Sequence, residues 1–513
     1  MGTIRDIETV HGLIRRVDAM PAMPSPYRMI DWKARTRDYV GLVFDAEARG
    51  DFLPLFWIDR TGRNTGRPTF GLPSYVGSPK RRTDGSQEAI NCASAVLSAS
   101  LCGCLPTLPE GLDPIASLES FFNRDNGLGL FLNSTSGRTG GSFWYEIEPL
   151  VLLAGILDRH PGYPRLVAAF LDSARRWLEA LDALGGPAAD FHHTAFDFEK
   201  GSPVDNGRWQ EPDAAAGLAF VFQCAHAMTG RPEWLAATRA CLDALERTVD
   251  NPYYELLLPY GALAAARCNS MHGTRYDVAR LLAWCFDGDS TARPGWGVIA
   301  ERWGDFDCHG LVGSLTDYGQ RWDLLKDNAS SETDPIRSGY AFAGNTFSMA
   351  APLLALVGYE PRFARDVGKW MLNAASAARL FYPDAHPPVR QSCAFWKDDP
   401  KSSIAYEGLR KQWDGLAPYA TGDPQRYSWG TIDIGLYGSS FVGNFGGTVE
   451  TTAEEGVLQL DCSVTDYHGD RSKRTLLFYN PHGRPVGIQV AGVAGEVVVP
   501  PDEAVLVEEG VQG

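Results

Sequence analysis

Long runs of mainly apolar residues alternate along the chain with amphipathic runs of similar length. YEIEPLVLLAGILDRHPG is followed by YPRLVAAFLDSARRWLEAL, EPDAAAGLAFVFQCAHAMTG by RPEWLAATRACLDALE, and YAFAGNTFSMAAPLLALVG by YEPRFARDVGKWMLNAAS. Each second run places apolar residues at helical spacing with charged residues between them, as on a helix with one buried face. Each first run is apolar around most of its circumference, which predicts burial on both sides. The pattern therefore predicts pairs of inner and outer helices.

Prolines mark the start of the outer helices. Pro164, Pro232 and Pro361 stand near the beginning of the second runs, and proline suits the first helical turn because its missing N–H would be unpaired there. The second gap between these prolines is nearly twice the first, so we expect a middle pair from NPYYELLLPYGALAAARCNSMHG and TRYDVARLLAWCF. Residues 31–49 and 87–104 can supply another pair. Five or six pairs are predicted, and closing them into a ring removes unburied edges.

The hydrophobic period changes after about Tyr437. Short Val, Leu and Thr runs broken by Gly, Pro, Asn and Asp predict a small antiparallel β-domain of about five strands. The predicted organisation is an N-terminal extension over 1–30, a helical barrel over 31–437 and a β-sandwich-like domain over 438–513. We expect β-structure mainly in the last of these.

Composition excludes several classes of protein. The net charge of −16 argues against nucleic-acid binding, because the only short basic run is Lys80-Arg81-Arg82. No apolar segment approaches the length of a membrane helix, so we expect no membrane partner and a cytoplasmic protein, or a secreted one if a signal sequence has been removed. The cysteines and histidines show no metal-ligand spacing, and nucleotide-binding and serine-nucleophile motifs are absent. No metal and no cofactor are expected, and the oligomeric state stays open.

The helix-pair repeat in 146–181, 211–245 and 340–375, with aromatic and acidic loops before the inner helices, resembles the (α/α)6-barrel carbohydrate-active enzymes. This group contains glycoside hydrolases, phosphorylases and polysaccharide lyases. The resemblance implies a mainly α fold, an (α/α)6 toroid of inner and outer helices with a small C-terminal antiparallel β-domain. It is architectural and assigns no catalytic residue, since a fold hosts many functions.

Loops before the inner helices carry the candidate chemistry. All inner helices begin on one face of such a ring, so these loops are expected to converge on one cavity. Each loop places a carboxylate or amide beside an aromatic residue, which suits a sugar with its apolar ring face and its rim of hydroxyls. The predicted substrate-binding residues are Trp144, His193, Trp209, Tyr254, Tyr260, Trp303, Tyr340, Asn345 and Tyr406.

Cleavage of a glycosidic bond needs two carboxyl groups, one protonated and one ionised. The candidates are Glu146, Glu211, Glu255, Asp305, Asp307 and Glu407. The sequence hypothesis is an inverting glycoside hydrolase acting on an oligo- or polysaccharide, with Glu211 or Glu255 as the acid and Glu407 as the base.

Structural alternatives exist for most of these carboxylates. Asp213 and Glu211 precede an inner helix, where an acid can cap free N–H groups, and capping is favoured for Asp213. Glu146 and Glu255 lie in apolar stretches, where each either has a raised pKa or pairs with an arginine such as Arg267. Asp305 and Asp307 lie beside Gly304, where turn formation is the other interpretation.

Other functions remain open from the sequence alone. A polysaccharide lyase could use Tyr260, His272, Arg267 and Asn345 to abstract a proton beside a carboxylate. An isomerase or dehydratase on the same barrel, or a non-catalytic carbohydrate-binding protein, would use the same aromatic cavity.

Overall fold

The computed structural model describes residues 2–5, 13–79, 85–290, 295–315, 339–413, 415–493 and 495–510. The basic run Lys80-Arg81-Arg82 lies outside them. In chain order, the α-helices of these residues are α1 Arg15–Asp18, α2 Trp32–Val43, α3 Ala89–Leu101, α4 Phe143–Arg159, α5 Pro164–Ala183, α6 Ala214–Thr229, α7 Pro232–Arg247, α8 Leu258–His272, α9 Val278–Asp287, α10 Ala343–Val357, α11 Ala364–Ala377, α12 Pro424–Tyr427, α13 Leu436–Ser439 and α14 Gly443–Thr448. Short 3₁₀ helices span Pro109–Gly111, Ala116–Phe121, Gly186–Ala188, Pro361–Phe363, Ala378–Phe381, Pro383–Ala385 and Pro388–Arg390.

Among the described residues, six inner segments form a closed ring in the order α3, α4, α6, α8, α10 and α14, and α14 packs back on α3. Outer helices α5, α7, α9 and α11 each pack on the inner helix that precedes them in the chain. The predicted fold class, a ring of inner and outer helices with a C-terminal antiparallel β-region, is confirmed.

The inner helices are buried along nearly their whole length, as their apolar sequences predict. In α6, every residue from Ala214 to Ala225 is buried, whereas α7 buries one face that includes Trp234 and Leu242. The ring also needs small residues, because a Cβ on Gly217 would lie 2.8 Å from Cγ2 of Ile147 in α4. Close approach of α4 and α6 therefore depends on that glycine.

Pro164 and Pro232 are the first residues of α5 and α7, and Pro361 opens the 3₁₀ turn before α11, as predicted. The early runs pair differently from the prediction. Helix α2, which Asp31 caps by accepting from the Ala34 N–H at 2.8 Å, packs on α14 as well as on α3. A closed ring brings the two chain ends together, so the outer cover of the last inner segment comes from the beginning of the chain.

The strands are β1 Thr3–Arg5, β2 Trp57–Asp59, β3 Thr69–Gly71, β4 Ala195–Asp197, β5 Ser202–Val204, β6 Trp296–Val298, β7 Arg302–Trp303, β8 Phe306–Asp307, β9 Val312–Ser314, β10 Tyr340–Phe342, β11 Gly408–Arg410, β12 Tyr419–Thr421, β13 Val449–Thr451, β14 Leu458–Asp461, β15 Lys473–Tyr479, β16 Val486–Gln489, β17 Glu496–Val499 and β18 Ala504–Gly510. One antiparallel sheet has the order β1-β18-β15-β14-β13, with Leu477 opposite Leu506, and β16 and β17 form a hairpin beside it. The N-terminal strand thus belongs to the C-terminal sheet.

A second five-stranded antiparallel sheet, in the order β12-β11-β10-β9-β6, corrects the expectation that β-structure lies mainly in the C-terminal region. Its strands have three residues each, too short to show a period of two in the sequence. A Cβ on Gly408 would collide with the carbonyl oxygen of Ala341, so the close approach of β11 to β10 requires glycine.

The loop between β14 and β15 closes one end of the ring. Tyr467 of this loop is 1% exposed, and a Cβ on Gly155 of α4 would lie 3.0 Å from its ring. The guanidinium of Arg267 in α8 donates to Asp466 at 2.5 Å and to the Tyr467 carbonyl at 2.9 Å. Since Gly155 and Arg267 lie in the C-terminal halves of their helices, the loop leaves the N-terminal ends of the inner helices for a site.

Helix α13 spans the predicted domain boundary at 437, α14 follows it, and the first strand after them begins at Val449. The boundary itself stays a prediction. No helix of the described residues combines the length and the apolar character needed to cross a membrane. All ten cysteines are free thiols.

Candidate active site

A cavity of about 260 Å³ opens at the N-terminal ends of the inner helices. It lies among the loops that precede α4, α8 and α10, the strand β11 and the segment from α12 to α14. Its lining residues are Tyr75, Trp144, Tyr145, Tyr254, Glu255, Leu256, Phe342, Gly344, Asn345, Glu407, Asp423, Trp429, Tyr437, Gly438 and Phe441. The prediction that these loops meet at one cavity therefore holds for several of them, though not for all.

Flat aromatic rings form much of the cavity wall. Tyr75 stacks between Tyr437, at 6.0 Å between ring centroids, and Trp429, at 6.2 Å. Trp144 and Tyr145 stack on each other at 4.4 Å. Tyr145 and Trp429 are 41% and 48% exposed, unlike the buried rings beside them, and so present ring surface to solvent. Such a wall suits a ligand with an apolar face.

Glu407 lies in this wall, just before β11, and its two oxygens have different partners. Oε2 accepts from the Tyr340 hydroxyl at 3.0 Å and from the Asp423 N–H at 2.6 Å. Oε1 accepts from the hydroxyl of Tyr75 at 3.2 Å. Two hydrogen bonds therefore hold Oε2 in place, while Oε1 faces Tyr75 of the cavity wall.

Burial, together with the charges of Asp423 and Asp433, raises the pKa of Glu407 to about 8. The pKa rises even though the Asp423 N–H and the Tyr340 hydroxyl favour the ionised form. Glu407 is thus protonated at neutral pH.

Asp423 also lines the cavity, and it pairs with a buried arginine. The Arg410 guanidinium donates to Oδ1 of Asp423 at 2.6 Å and stacks over the Tyr340 ring at 4.2 Å. The side chains of both partners are nearly fully buried, at 2% and 8% exposure. Asp423 is thus the ionic partner of Arg410, and its backbone N–H donates to the neighbouring carboxyl group of Glu407.

Glu255 reaches the cavity from the loop before α8, on a backbone that most residues avoid. Its φ is +58°, a left-handed conformation that is uncommon for any residue other than glycine. The Asn345 amide holds it there, donating to the Glu255 carbonyl at 2.9 Å and to Oε2 at 3.4 Å. Strain of this kind persists where surrounding contacts enforce it, and it concentrates at functional sites.

Two candidate acids, Glu146 and Glu211, are not among the residues that line the cavity. Glu146 accepts from the N–H groups of Gly140 at 2.7 Å and Gly141 at 3.3 Å, and burial raises its pKa to about 8. Glu211 accepts from the Ser142 hydroxyl at 2.8 Å and from the N–H of Trp144 at 3.1 Å. Glu146 therefore holds the loop before the N-cap Ser142, and Glu211 accepts from a free N–H of the first turn of α4.

Asp213 does not make the predicted cap. It stands at the N-cap of α6 without a capping bond and accepts from the Tyr254 N–H at 3.1 Å, which ties α6 to the loop that carries Glu255. Arg267, suggested as a partner for Glu146 or Glu255, pairs with Asp466 at the other end of the ring.

Asp305 and Asp307 also lie outside the cavity lining. Asp305 is exposed, and its carbonyl accepts from the Arg302 guanidinium at 2.6 Å. Asp307 accepts from the imidazole of His309 at 2.6 Å and from the Ser25 N–H at 3.2 Å. The tight turn between β7 and β8 sends these side chains in other directions, which corrects the expected convergence.

The predicted substrate-binding residues divide in the same way. Trp144, Tyr254 and Asn345 line the cavity. Tyr340 does not line it, but its hydroxyl donates to the lining residue Glu407. The others contact protein groups elsewhere: the hydroxyl of Tyr406 donates to Gln391, the ring of Tyr260 packs on Phe220, the indole of Trp303 donates to Glu301, His193 pairs with Asp205, and Trp209 donates to Glu211. These five do not line the cavity.

Ten lining residues were not predicted from the sequence, and those with aromatic or acidic side chains near the carboxyl groups include Tyr75, Tyr145, Asp423, Trp429 and Tyr437. Tyr145 adjoins Trp144 in the loop already singled out, so its aromatic type was a usable signal. Asp423 stands in TGDPQ, a pattern typical of a turn, and only the fold shows its pairing with Arg410. Within the described residues, no group of three or more His, Cys, Asp or Glu side chains could hold a metal ion.

No protein-family model matches the chain, and no curated protein sequence matches it. Among solved structures, a mutant of unsaturated glucuronyl hydrolase from Streptococcus agalactiae matches with 11% identity and a TM-score of 0.40, over 87% of this chain and 98% of that chain. A protein named as a wild-type glycosidase matches with 11% identity and a TM-score of 0.33, over 81% and 96%. A β-L-arabinofuranosidase from Geobacillus stearothermophilus T6 matches with 10% identity and a TM-score of 0.30, over 99% and 81%.

With identities of 10–11% and TM-scores of 0.30–0.40, these matches carry no argument about the family or the activity of this chain.

Glu211→Gln tests the structural role that the contacts give to Glu211. An amide in its place offers one acceptor instead of two to the Ser142 hydroxyl, the Trp144 N–H and the Trp209 indole, so we expect a loss of about 1–3 kcal/mol in unfolding free energy. Thermal unfolding measures it. If turnover instead falls by about 100-fold or more while the melting temperature is unaltered, Glu211 acts in the reaction and the structural role is wrong.

Proposed function

We propose that the chain is a glycoside hydrolase in which Glu407 is the general acid and Glu255 activates water. The observation that carries this proposal is the buried Glu407, with a pKa raised to about 8, in an aromatic-walled cavity that also holds Asp423, the partner of Arg410, and the strained Glu255. Hydrolysis of a glycosidic bond needs a combination of a protonated and an ionised carboxyl group. The carbohydrate substrate is part of the proposal.

The proton of Glu407 belongs on Oε1. Oε2 already accepts two hydrogen bonds, from Tyr340 and Asp423, whereas Oε1 is 3.2 Å from the hydroxyl of Tyr75 in the cavity wall. A glycosidic oxygen near Oε1 would take this proton as the bond to the anomeric carbon breaks. This reverses the role given to Glu407 by the sequence hypothesis, because a base must be ionised at the working pH.

Burial, and after it the negative charge of Asp423, raises the pKa of Glu407. Asp423 itself pairs with the guanidinium of Arg410. Glu255 comes from a different loop, and its carbonyl and carboxylate are held by Asn345. The proposed reaction is inverting, in which the two carboxyl groups stand about 6.5–9.5 Å apart and water enters between the base and the anomeric carbon. The cavity, somewhat smaller than the roughly 300–1,000 Å³ of typical ligand pockets, suits the end of a sugar chain.

A lyase fits the cavity less well. Of the four residues suggested for it, only Asn345 lines the cavity: Tyr260 packs on Phe220, Arg267 pairs with Asp466, and His272 ends α8. A tyrosine base needs a lowered pKa, whereas burial raises the pKa of the wall tyrosines Tyr75 and Tyr437 well above the ordinary value.

A panel of oligosaccharides tests the proposal, with product release and thermal shift measured together. Release of a new reducing end without ultraviolet absorbance identifies a hydrolase, and NMR of the first product identifies inversion or retention. An unsaturated product that absorbs in the ultraviolet would contradict the proposal in favour of a lyase. Ligand-induced thermal stabilisation without any product would contradict it in favour of a binding protein.

A further inference from the structure

Tyr75 lines the active cavity, and its hydroxyl contacts Oε1 of Glu407 with 3.2 Å between the two oxygens. A hydrogen bond between a hydroxyl and a carboxyl oxygen is ordinarily about 2.5–3.0 Å long. This contact can therefore shorten, as hydrogen bonds in active sites often do when the reaction begins. Oε2 already accepts from the Asp423 N–H at 2.6 Å and from the hydroxyl of Tyr340 at 3.0 Å. The hydrogen bond of Oε1 thus has more strength to gain than those of Oε2.

Packing holds the ring of Tyr75 in place. It stacks on the rings of Tyr437 and Trp429, with centroids 6.0 and 6.2 Å away. A Cβ on Gly435 would lie 2.6 Å from Cδ1 of Tyr75, and a Cβ on Gly430 would lie 2.9 Å from the Cβ of Tyr75, so the ring fits only beside glycines. Rotation about the C–O bond stays possible and redirects the hydroxyl proton.

The phenol of Tyr75 keeps its own proton. Burial, and after it the charge of Glu407, raises the pKa of Tyr75 well above the ordinary value. The hydroxyl can therefore accept a hydrogen bond from Glu407 while Oε1 carries a proton, and donate one to Oε1 after that proton has left. Tyr75 itself stays neutral in both states.

The second of these hydrogen bonds is the stronger one. A hydrogen bond to an ionised oxygen is shorter and roughly twice as strong as one between neutral groups. The contact between Tyr75 and Oε1 therefore gains strength as the proton moves from Oε1 to a glycosidic oxygen. An interaction that is stronger in the transition state than in the ground state accelerates the chemical step.

We propose that Tyr75 is a positioning residue for the acid, whose hydroxyl orients Oε1 of Glu407 and stabilises the carboxylate that forms there. The inference rests on the proposed function, in which Glu407 is the acid. The proton of Oε1 goes to the glycosidic oxygen, the bond from that oxygen to the anomeric carbon breaks, and Tyr75 is left chemically unchanged.

Tyr75→Phe removes the hydroxyl and keeps the ring that stacks in the wall. We expect kcat on a cleaved glycoside to fall by about 5–30-fold, with a much smaller change of KM, because the hydrogen bond strengthens only as charge develops. Activity should also persist to higher pH than in the wild type, since the ionised form of Glu407 loses a donor and its pKa rises. An unaltered kcat, or an alkaline limb that does not move, would overturn the proposal. A merely structural role of Tyr75 would lower the melting temperature without moving that limb.

Tyr467→Phe is the matched control. The hydroxyl of Tyr467 is also buried, has no hydrogen-bond partner among the described residues, and belongs to the loop that closes the opposite end of the ring. We expect neither kcat nor the pH profile to change in this variant. An equal fall of kcat in both variants would mean that the loss of any buried hydroxyl slows the enzyme, and the role of Tyr75 would be wrong.

Direct titration of Glu407 separates this inference from the proposed function, because it needs no substrate. The infrared C=O band of the protonated carboxyl group, identified by its absence from Glu407→Gln, follows the ionisation. If no glycoside is cleaved but the band persists to higher pH in Tyr75→Phe than in the wild type, the hydrogen bond to Glu407 is supported and the hydrolase proposal fails. If glycosides are cleaved and Tyr75→Phe alters neither the titration nor kcat, the proposal for Tyr75 fails alone.

Discussion

Glu407→Gln should lower the turnover of any glycoside that the protein cleaves by a factor on the order of 10²–10⁴. Glutamine keeps the shape of the side chain, and its carbonyl can still accept from the hydroxyl of Tyr340 and the N–H of Asp423. It has no acidic proton to give to the leaving oxygen. Steady-state kinetics together with thermal unfolding measure the effect, and the fold should be preserved.

The pH dependence adds a second, independent result. Glu407 is protonated below about pH 8, so wild-type activity should fall as pH rises through that value. Because its folded pKa of about 8 exceeds the ordinary 4.5, Glu407 contributes stability that is complete below about pH 4.5 and lost by about pH 8. Stability of the glutamine variant should thus decline less between these pH values. Near-full turnover by the variant would refute the role of Glu407 and leave Glu255 and Asp423 as the acids to test.

Asp423→Asn should have the next largest effect, because it removes the negative charge that pairs with Arg410 and helps to raise the pKa of Glu407. The buried Arg410 loses its ionic partner, and breaking such a pair costs up to about 3–5 kcal/mol of stability. The pKa of Glu407 should fall, since the charge of Asp423 is one of its causes, and the alkaline limb of activity should move to lower pH. Chemical denaturation and a pH–rate profile measure the two effects.

Asp466→Asn provides a matched control for this prediction. The Arg267–Asp466 pair is as short and nearly as buried as the Arg410–Asp423 pair, but it lies at the opposite end of the ring. A similar loss of stability is expected, with no shift of the pH–rate profile. If both variants leave the alkaline limb unchanged, Asp423 does not set the protonation of Glu407.

Local sequence determined the helical ring. Apolar runs such as AAAGLAFVFQCAHAMT can be buried only between other elements, and amphipathic runs such as PEWLAATRACLDALER can cover them from outside, so inner and outer helices follow from the hydrophobic period alone. The same periodicity located the change to strands near the C-terminus. Because the loops before inner helices share one face, the sequence also identified Trp144, Tyr254, Glu255, Asn345 and Glu407 as lining residues.

Only the tertiary structure decided which of the surplus carboxylates serve the cavity. Glu211 and Glu146 are indistinguishable from Glu255 by type and local pattern, yet the first two accept from N–H groups around the start of α4, whereas Glu255, with its positive φ, lines the cavity. The sequence also did not show the raised pKa of Glu407, which is caused by burial and by the charge of Asp423. Asp423 lies later in the chain and comes close to Glu407 through the pairing of β11 with β12. A pKa depends on charges and solvent in space, and distance along a sequence does not record them.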